Sequence, residues 1–198
     1  MPNIRTAALS LLLAAMPAWA LTPAEITARL QGPETVQGQF VQQRFIKSLA
    51  KPMQTQGRFA LKKRTGLFWH IQKPLDLQLR VREQGIAQWD AAARIWRNSS
   101  QSGQAAQVKL FMAVLGGDTG ELGKQFTISA NGNPNQWRMQ LTPKTAVMKQ
   151  IFQDITIQGG AVVQQIELRE KQGDRTVMIF SQTQTDQPLS AAAGNAFK

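Results

Sequence analysis

The chain has 198 residues, with 23 Lys and Arg against 12 Asp and Glu, a net charge of +11, one histidine and no cysteine. The missing thiols exclude disulfide staples, thiolate metal sites and cysteine nucleophiles, and a lone His70 is a poor basis for a catalytic triad or a histidine metal cluster. The cations are scattered, with one modest cluster at Lys62, Lys63 and Arg64. They read as a solvated surface, or as attraction to acidic lipid head groups or an acidic partner, and not as a nucleic-acid interface, which would interleave clustered cations with stacking aromatics.

The N-terminus reads as a secretory leader. A short polar stretch ending at Arg5 precedes an apolar run from Ala7 to Met16, and Ala18-Trp19-Ala20 supplies the small side chains of a cleavage site after Ala20. The apolar run is roughly half the ~20 residues that a membrane-spanning helix needs, so residues 1–20 are assigned as a signal peptide and 21–198 as a single exported domain without an anchor. With no cysteine after the leader, a diacylated lipoprotein is not expected, and the fold must rest on its core.

Leu21 to Ile26 predicts a helix start. Thr22 caps, Pro23 suits the first turn and Glu25 closes a capping box, while Leu21 and Ile26 occupy the staple positions. Gly32-Pro33 ends this helix, and the period then changes to two. Strands are expected at Val36–Lys47, Gln54–Lys63, Leu67–Ile71 and Leu75–Val81, followed by a hairpin of Ile86–Asp90 with Arg94–Asn98. After a Ser/Gln/Gly linker, Asn98–Gln104, helical spacing returns: Val108, Phe111, Met112 and Leu115 fall on one stripe, and Gly116-Gly117 ends it.

A short turn or helix is expected around Thr119–Leu122, then strands at Phe126–Ala130, Trp137–Leu141, Ile151–Ile157, Val163–Glu170 and Arg175–Thr183, with turns at Asn131–Asn135, Gly159-Gly160 and Gln172–Asp174. About ten strands in series make a mainly β (α+β) chain. So many strands must curl or close, and the middle helix must bury its stripe on the concave face. The stripe serves either as permanent core or as a movable lid over an apolar cavity, and the Ser/Gly-rich segments flanking it would absorb motion.

No GxSxG, HExxH, phosphate-loop, EF-hand or zinc spacing is present, so no enzyme, metal or cofactor is expected. His70, in a strand beside Phe68 and Trp69, reads as a structural or rim residue.

These residues resemble the LolA-like periplasmic carriers of outer-membrane lipoproteins. The similarity lies in Val36-Gln37-Gly38-Gln39-Phe40-Val41-Gln42, in Leu67-Phe68-Trp69-His70-Ile71 with Lys73-Pro74, in Phe111-Met112, and in Leu141-Thr142-Pro143-Lys144. The resemblance implies a curled, incompletely closed antiparallel β-barrel with a helical lid. Its apolar interior would receive acyl chains of a lipoprotein or related lipid, taken from an inner-membrane transporter and passed to an outer-membrane acceptor in the periplasm by a monomeric, non-enzymatic carrier. The second reading is a lipid-sensing regulatory or scaffold domain of the same fold.

The residues expected to meet acyl chains are Phe59, Leu67, Trp69, Leu77, Phe111, Met112, Leu115, Trp137, Met139, Met178 and Phe180. Because Phe68 and Trp69 are adjacent, only one points inward, and parity with Leu67 and Ile71 selects Trp69. The family's arginine–proline pair, whose arginine holds the lid, is replaced by Lys63-Arg64-Thr65. Lys63 and Arg64 are the latch candidates, and lysine lacks arginine's planar fork. This departure points to a relative that carries another lipid or glycolipid.

Overall fold

The computed structural model describes residues 21–98 and 103–198. The expected leader with its cleavage position Ala20, and residues 99–102 of the linker, lie outside the described residues. A first helix, α1 (Pro23–Leu30), leads into strands β1 (Thr35–Phe45), β2 (Met53–Lys62), β3 (Gly66–Lys73), β4 (Leu77–Arg82), β5 (Gly85–Asp90) and β6 (Ile95–Asn98). Helices α2 (Gly103–Leu115) and α3 (Thr119–Gln125) connect them to β7 (Phe126–Asn133) and β8 (Gln136–Pro143). A short α4 (Ala146–Ile151), the strands β9 (Phe152–Gly159), β10 (Val163–Glu170) and β11 (Arg175–Thr185), and α5 (Ala191–Ala196) complete the order.

All eleven strands form one sheet in the order β6-β5-β4-β3-β2-β1-β11-β10-β9-β8-β7, and every paired ladder is antiparallel. Two meanders are thus joined through β1 and β11, and β6 and β7 are the free edges. The chain passes from one edge to the other through α2 and α3. Eleven strands at about 4.8 Å spacing would span about 50 Å if flat. One core cluster nevertheless joins Ile86 of β5, Trp69 of β3, Phe40 of β1, Met178 of β11, Trp137 of β8 and Phe126 of β7. The sheet therefore curls beneath the helices and remains open between β6 and β7, as the expected incomplete barrel.

The capping box forms as read. Glu25 accepts from the Thr22 N–H and hydroxyl, each at 2.8 Å, while Thr22 Oγ1 accepts from the Glu25 N–H at 3.3 Å. These bonds hold the Glu25 carboxyl below its ordinary value, the Thr22 backbone N–H first.

The helix-covered face of the sheet carries the core. On β8 burial alternates residue by residue, with Trp137, Met139 and Leu141 inside. The Phe40 ring stacks on Trp69 at a centroid distance of 3.9 Å. Gly57 makes this stack possible: a Cβ there would lie 2.0 Å from the His70 carbonyl oxygen and 2.7 Å from the Phe40 ring, closer than any side chain tolerates.

Parity at Phe68-Trp69 resolves as expected, since Trp69 enters the main core and Phe68 takes the opposite face. That second face is not bare. Ala193 and Ala196 of α5 bury Phe68 and Ala60, with Trp96, Leu189 and Phe197 packed around them. Arg80 lies over the Trp96 ring at 4.9 Å, and Arg82 donates to the Ala196 carbonyl at 3.1 Å. Burial, and then the charge of Arg82, lowers the Arg80 pKa.

Four local expectations are corrected. Strand β4 begins at Leu77, and Leu75 is 75% exposed in the loop after Pro74, a residue that removes a ladder donor and fixes φ. Ile151 ends α4 instead of opening a strand, because Thr145 caps that helix by accepting from the Met148 N–H. Strand β7 runs through Asn133, whose side chain accepts from the Asn135 and Gln136 N–H groups and tightens the turn. The fourth is α5, which follows the last expected strand in a segment where no element is predicted.

Candidate functional site

Helix α2 is apolar almost all round, so it is gripped on several sides at once. Val108, Phe111, Val114 and Leu115 are buried, and Phe111 stacks on Trp69 at 5.5 Å. At about 100° per residue these four share one arc, and Met112 falls at its edge, half-buried. The expected stripe thus divides into core residues and a flank residue.

That flank faces a cleft of about 1060 Å³, at the upper end of the range typical of small-molecule sites, roughly 300–1,000 Å³. Leu110, Met112 and Ala113 of α2 and Leu122 of α3 form one side, and Leu61 of β2 adds to it. The lining also takes in the corner where α4 meets β9, with Met148 and Phe152, and Leu168 of β10. Polar groups ring the apolar lining: Lys62, Lys63 and Arg64 from the β2–β3 turn, Arg82, Lys109, and the acids Glu83, Asp118, Glu121 and Glu170.

The residues expected to meet acyl chains fall into two groups. Met112 lines the cleft. Phe59, Leu67, Trp69, Phe111, Leu115, Trp137, Met139, Met178 and Phe180 lie in the buried core beneath the helices, and Leu77 packs against its edge. A guest lodged against them would have to displace α2, whereas one in the cleft need only displace solvent. Leu110, Leu122, Met148, Phe152 and Leu168 were not among the expected lining residues. They come from segments remote in sequence that the β1–β11 pairing brings together, and only Met148 and Phe152, spaced four apart, carried a local signal.

The two latch candidates also border the cleft, but Lys63 is engaged elsewhere. Its ammonium lies 3.5 Å from Glu34 and its N–H donates to the Glu34 carbonyl at 2.9 Å. Helix α2 contains no acidic residue to receive either candidate. The junction between α2 and α3 is instead pinned by α1. Gln31 Nε2 donates to the Gly117 carbonyl at 3.0 Å, and the Thr27 and Thr119 hydroxyls lie 3.2 Å apart. Gly117 has φ +64, and a Cβ there would sit 2.9 Å from the Leu30 Cβ, so glycine serves both the helix stop and the close approach of α1.

Several of the rim charges are matched. Glu170 lies 3.6 Å from Arg44, which also reaches Asp174 at 3.4 Å. Glu121 hydrogen-bonds Lys124 and holds that ammonium above the ordinary lysine value. Asp118 caps α3. Away from the cleft, His70 lies on the same strand face as Phe68, its Nε2 2.8 Å from an Asp76 oxygen. This pairing accounts for it as a rim residue on the far side of the sheet from Trp69.

An open antiparallel sheet curled under a helical connection, with an apolar cleft at the helix flank, is the architecture of a lipid-binding domain. The chain belongs to the outer membrane lipoprotein carrier protein LolA-like family, whose profile matches residues 14–196. Among solved structures, it is similar to the LolA superfamily protein NE2245 from Nitrosomonas europaea, with a TM-score of 0.50 and 11% identity over 90% of this chain and 98% of that one. A DUF1329 family protein from Desulfovibrio piger also has a TM-score of 0.50, with 12% identity over 89% and 96% of the two chains. MucB has a TM-score of 0.50 and 10% identity, covering 86% of this chain and 61% of MucB. At such identities the likeness is one of fold, and the chain is a divergent member of its family. No curated protein matches the sequence.

Proposed function

We propose that this protein is a periplasmic carrier that shields the acyl chains of a lipoprotein or related lipid, collecting them from an inner-membrane transporter and delivering them to an outer-membrane acceptor. The observation that carries this reading is the cleft between α2 and the curled sheet, apolar inside and polar at its rim. Burying an acyl chain there contributes about 0.8 kcal/mol per methylene. Ten methylenes then contribute about 8 kcal/mol, enough to offset much of the association cost of roughly 4–15 kcal/mol, so release to a tighter acceptor stays feasible.

Binding without covalent chemistry suffices, since direction follows from differences in affinity between successive binders. Among the described residues no helix is long and apolar enough to cross a membrane, and the leader reading would place the chain in the periplasm.

A fluorescent polyene fatty acid titrated into the purified protein is expected to gain emission saturably. Addition of an acylated lipopeptide should reverse the gain. A flat titration, or emission that the lipopeptide leaves untouched, would count against the carrier reading.

A further inference from the structure

The charges at the cleft are unevenly satisfied, and the surplus has one sign. Of the lining acids, Glu170 is paired with Arg44, Glu121 with Lys124, and Asp118 caps α3. Of the lining cations, Lys63 pairs with Glu34 and Arg82 donates to the Ala196 carbonyl. Among the described residues, Lys62, Arg64 and Lys109 make no ion pair, and against these three cations the cleft has only one unengaged carboxylate, Glu83. All three are exposed. Lys62 ends β2, Arg64 stands in the middle of the β2–β3 turn, and Lys109 stands on α2 just ahead of Leu110 and Met112.

A second observation concerns the backbone. Arg64 occupies the left-handed region, with φ 57, where glycine, asparagine and aspartate are the favoured residues. An arginine held there without an ionic partner is a local conflict of the kind that gathers at binding sites. In this turn it projects the most persistent cation of the cluster at the mouth of the cleft.

We infer that the amphiphile this cleft accepts carries an anionic head, a phosphate or a carboxylate, held by Lys62, Arg64 and Lys109 while its hydrocarbon lies along Met112. The inference rests on the carrier reading and narrows it, because a cleft built only for hydrocarbon has no use for an unmatched cationic mouth. Charge-assisted hydrogen bonds to phosphate or carboxylate are the strong contacts these side chains form. Their exposure makes the contribution sensitive to salt.

The test compares hexadecyl phosphate, palmitate and hexadecanol with inorganic phosphate, each titrated against the purified protein. At low ionic strength the two anionic amphiphiles should bind about tenfold more tightly than the alcohol. Raising the salt should narrow that gap, and inorganic phosphate alone should compete only weakly. A Lys62→Gln, Arg64→Gln, Lys109→Gln variant should lose the preference, whereas Arg29→Gln, which removes one positive charge on α1 outside the cleft lining, should keep it. Equal affinity for hexadecanol and hexadecyl phosphate would overturn the anionic head and leave the carrier reading standing. Inorganic phosphate competing as well as hexadecyl phosphate would replace the amphiphile site with a simple anion site. No binding by any of the three chains would overturn both readings.

Discussion

Replacing Met112 with glutamate is expected to abolish acyl-probe binding while the thermal midpoint stays within a few degrees of the parent. Met112 is half-buried at the flank of α2 and lines the cleft. In the empty protein a glutamate there keeps its carboxylate in solvent, and the helix loses little. Once hydrocarbon fills the cleft, that carboxylate loses water without gaining a partner, at a cost of several kcal/mol. Each 1.4 kcal/mol or so is a factor of ten in affinity, so the loss exceeds about a hundredfold. Isothermal titration and circular dichroism on the same preparation separate the two effects.

Phe111→Ala is expected to behave in the opposite way, lowering the unfolding free energy by about 3–5 kcal/mol. Phe111 is 1% exposed and stacks on Trp69, which in turn stacks on Phe40. Truncation leaves a void in the middle of an aromatic column and loosens the helix that bridges the two sheet edges. For a chain of this length the midpoint should fall by roughly 6–20 °C, measurable by differential scanning calorimetry. The neighbouring positions 111 and 112 thus report on different things, stability for one and binding for the other. A single helical stripe could not predict this division.

The elements most legible in the sequence were those with a long, regular period. The alternation at Trp137, Met139 and Leu141 and the helical spacing from Val108 to Leu115 both correspond to observed elements. The capping box at Thr22 and Glu25 is a local device within four residues, and it forms as read. Helices α4 and α5 are six residues each, too short for a period to show. The clue to α5 lay in Phe68. Two adjacent large aromatics in one strand imply that both faces of the sheet are covered, yet nothing in Ala191–Ala196 announces what covers the second.

The cleft was legible only on one side. Lys63, Arg64 and Met112 border it, but Met148, Phe152 and Leu168 join it through the pairing of β1 with β11. That long-range register is not written in any single segment. The latch was read from position alone, and Lys63 turns instead to Glu34, because α2 contains no carboxylate to attract it.

The most direct test of the carrier reading is chemical. The protein, purified without detergent, is extracted with organic solvent, and the extract is analysed by mass spectrometry. A co-purified acylated molecule in near-stoichiometric amount, absent from the Met112→Glu preparation, is the predicted result. An empty extract from a protein that also ignores added acyl probes would contradict it.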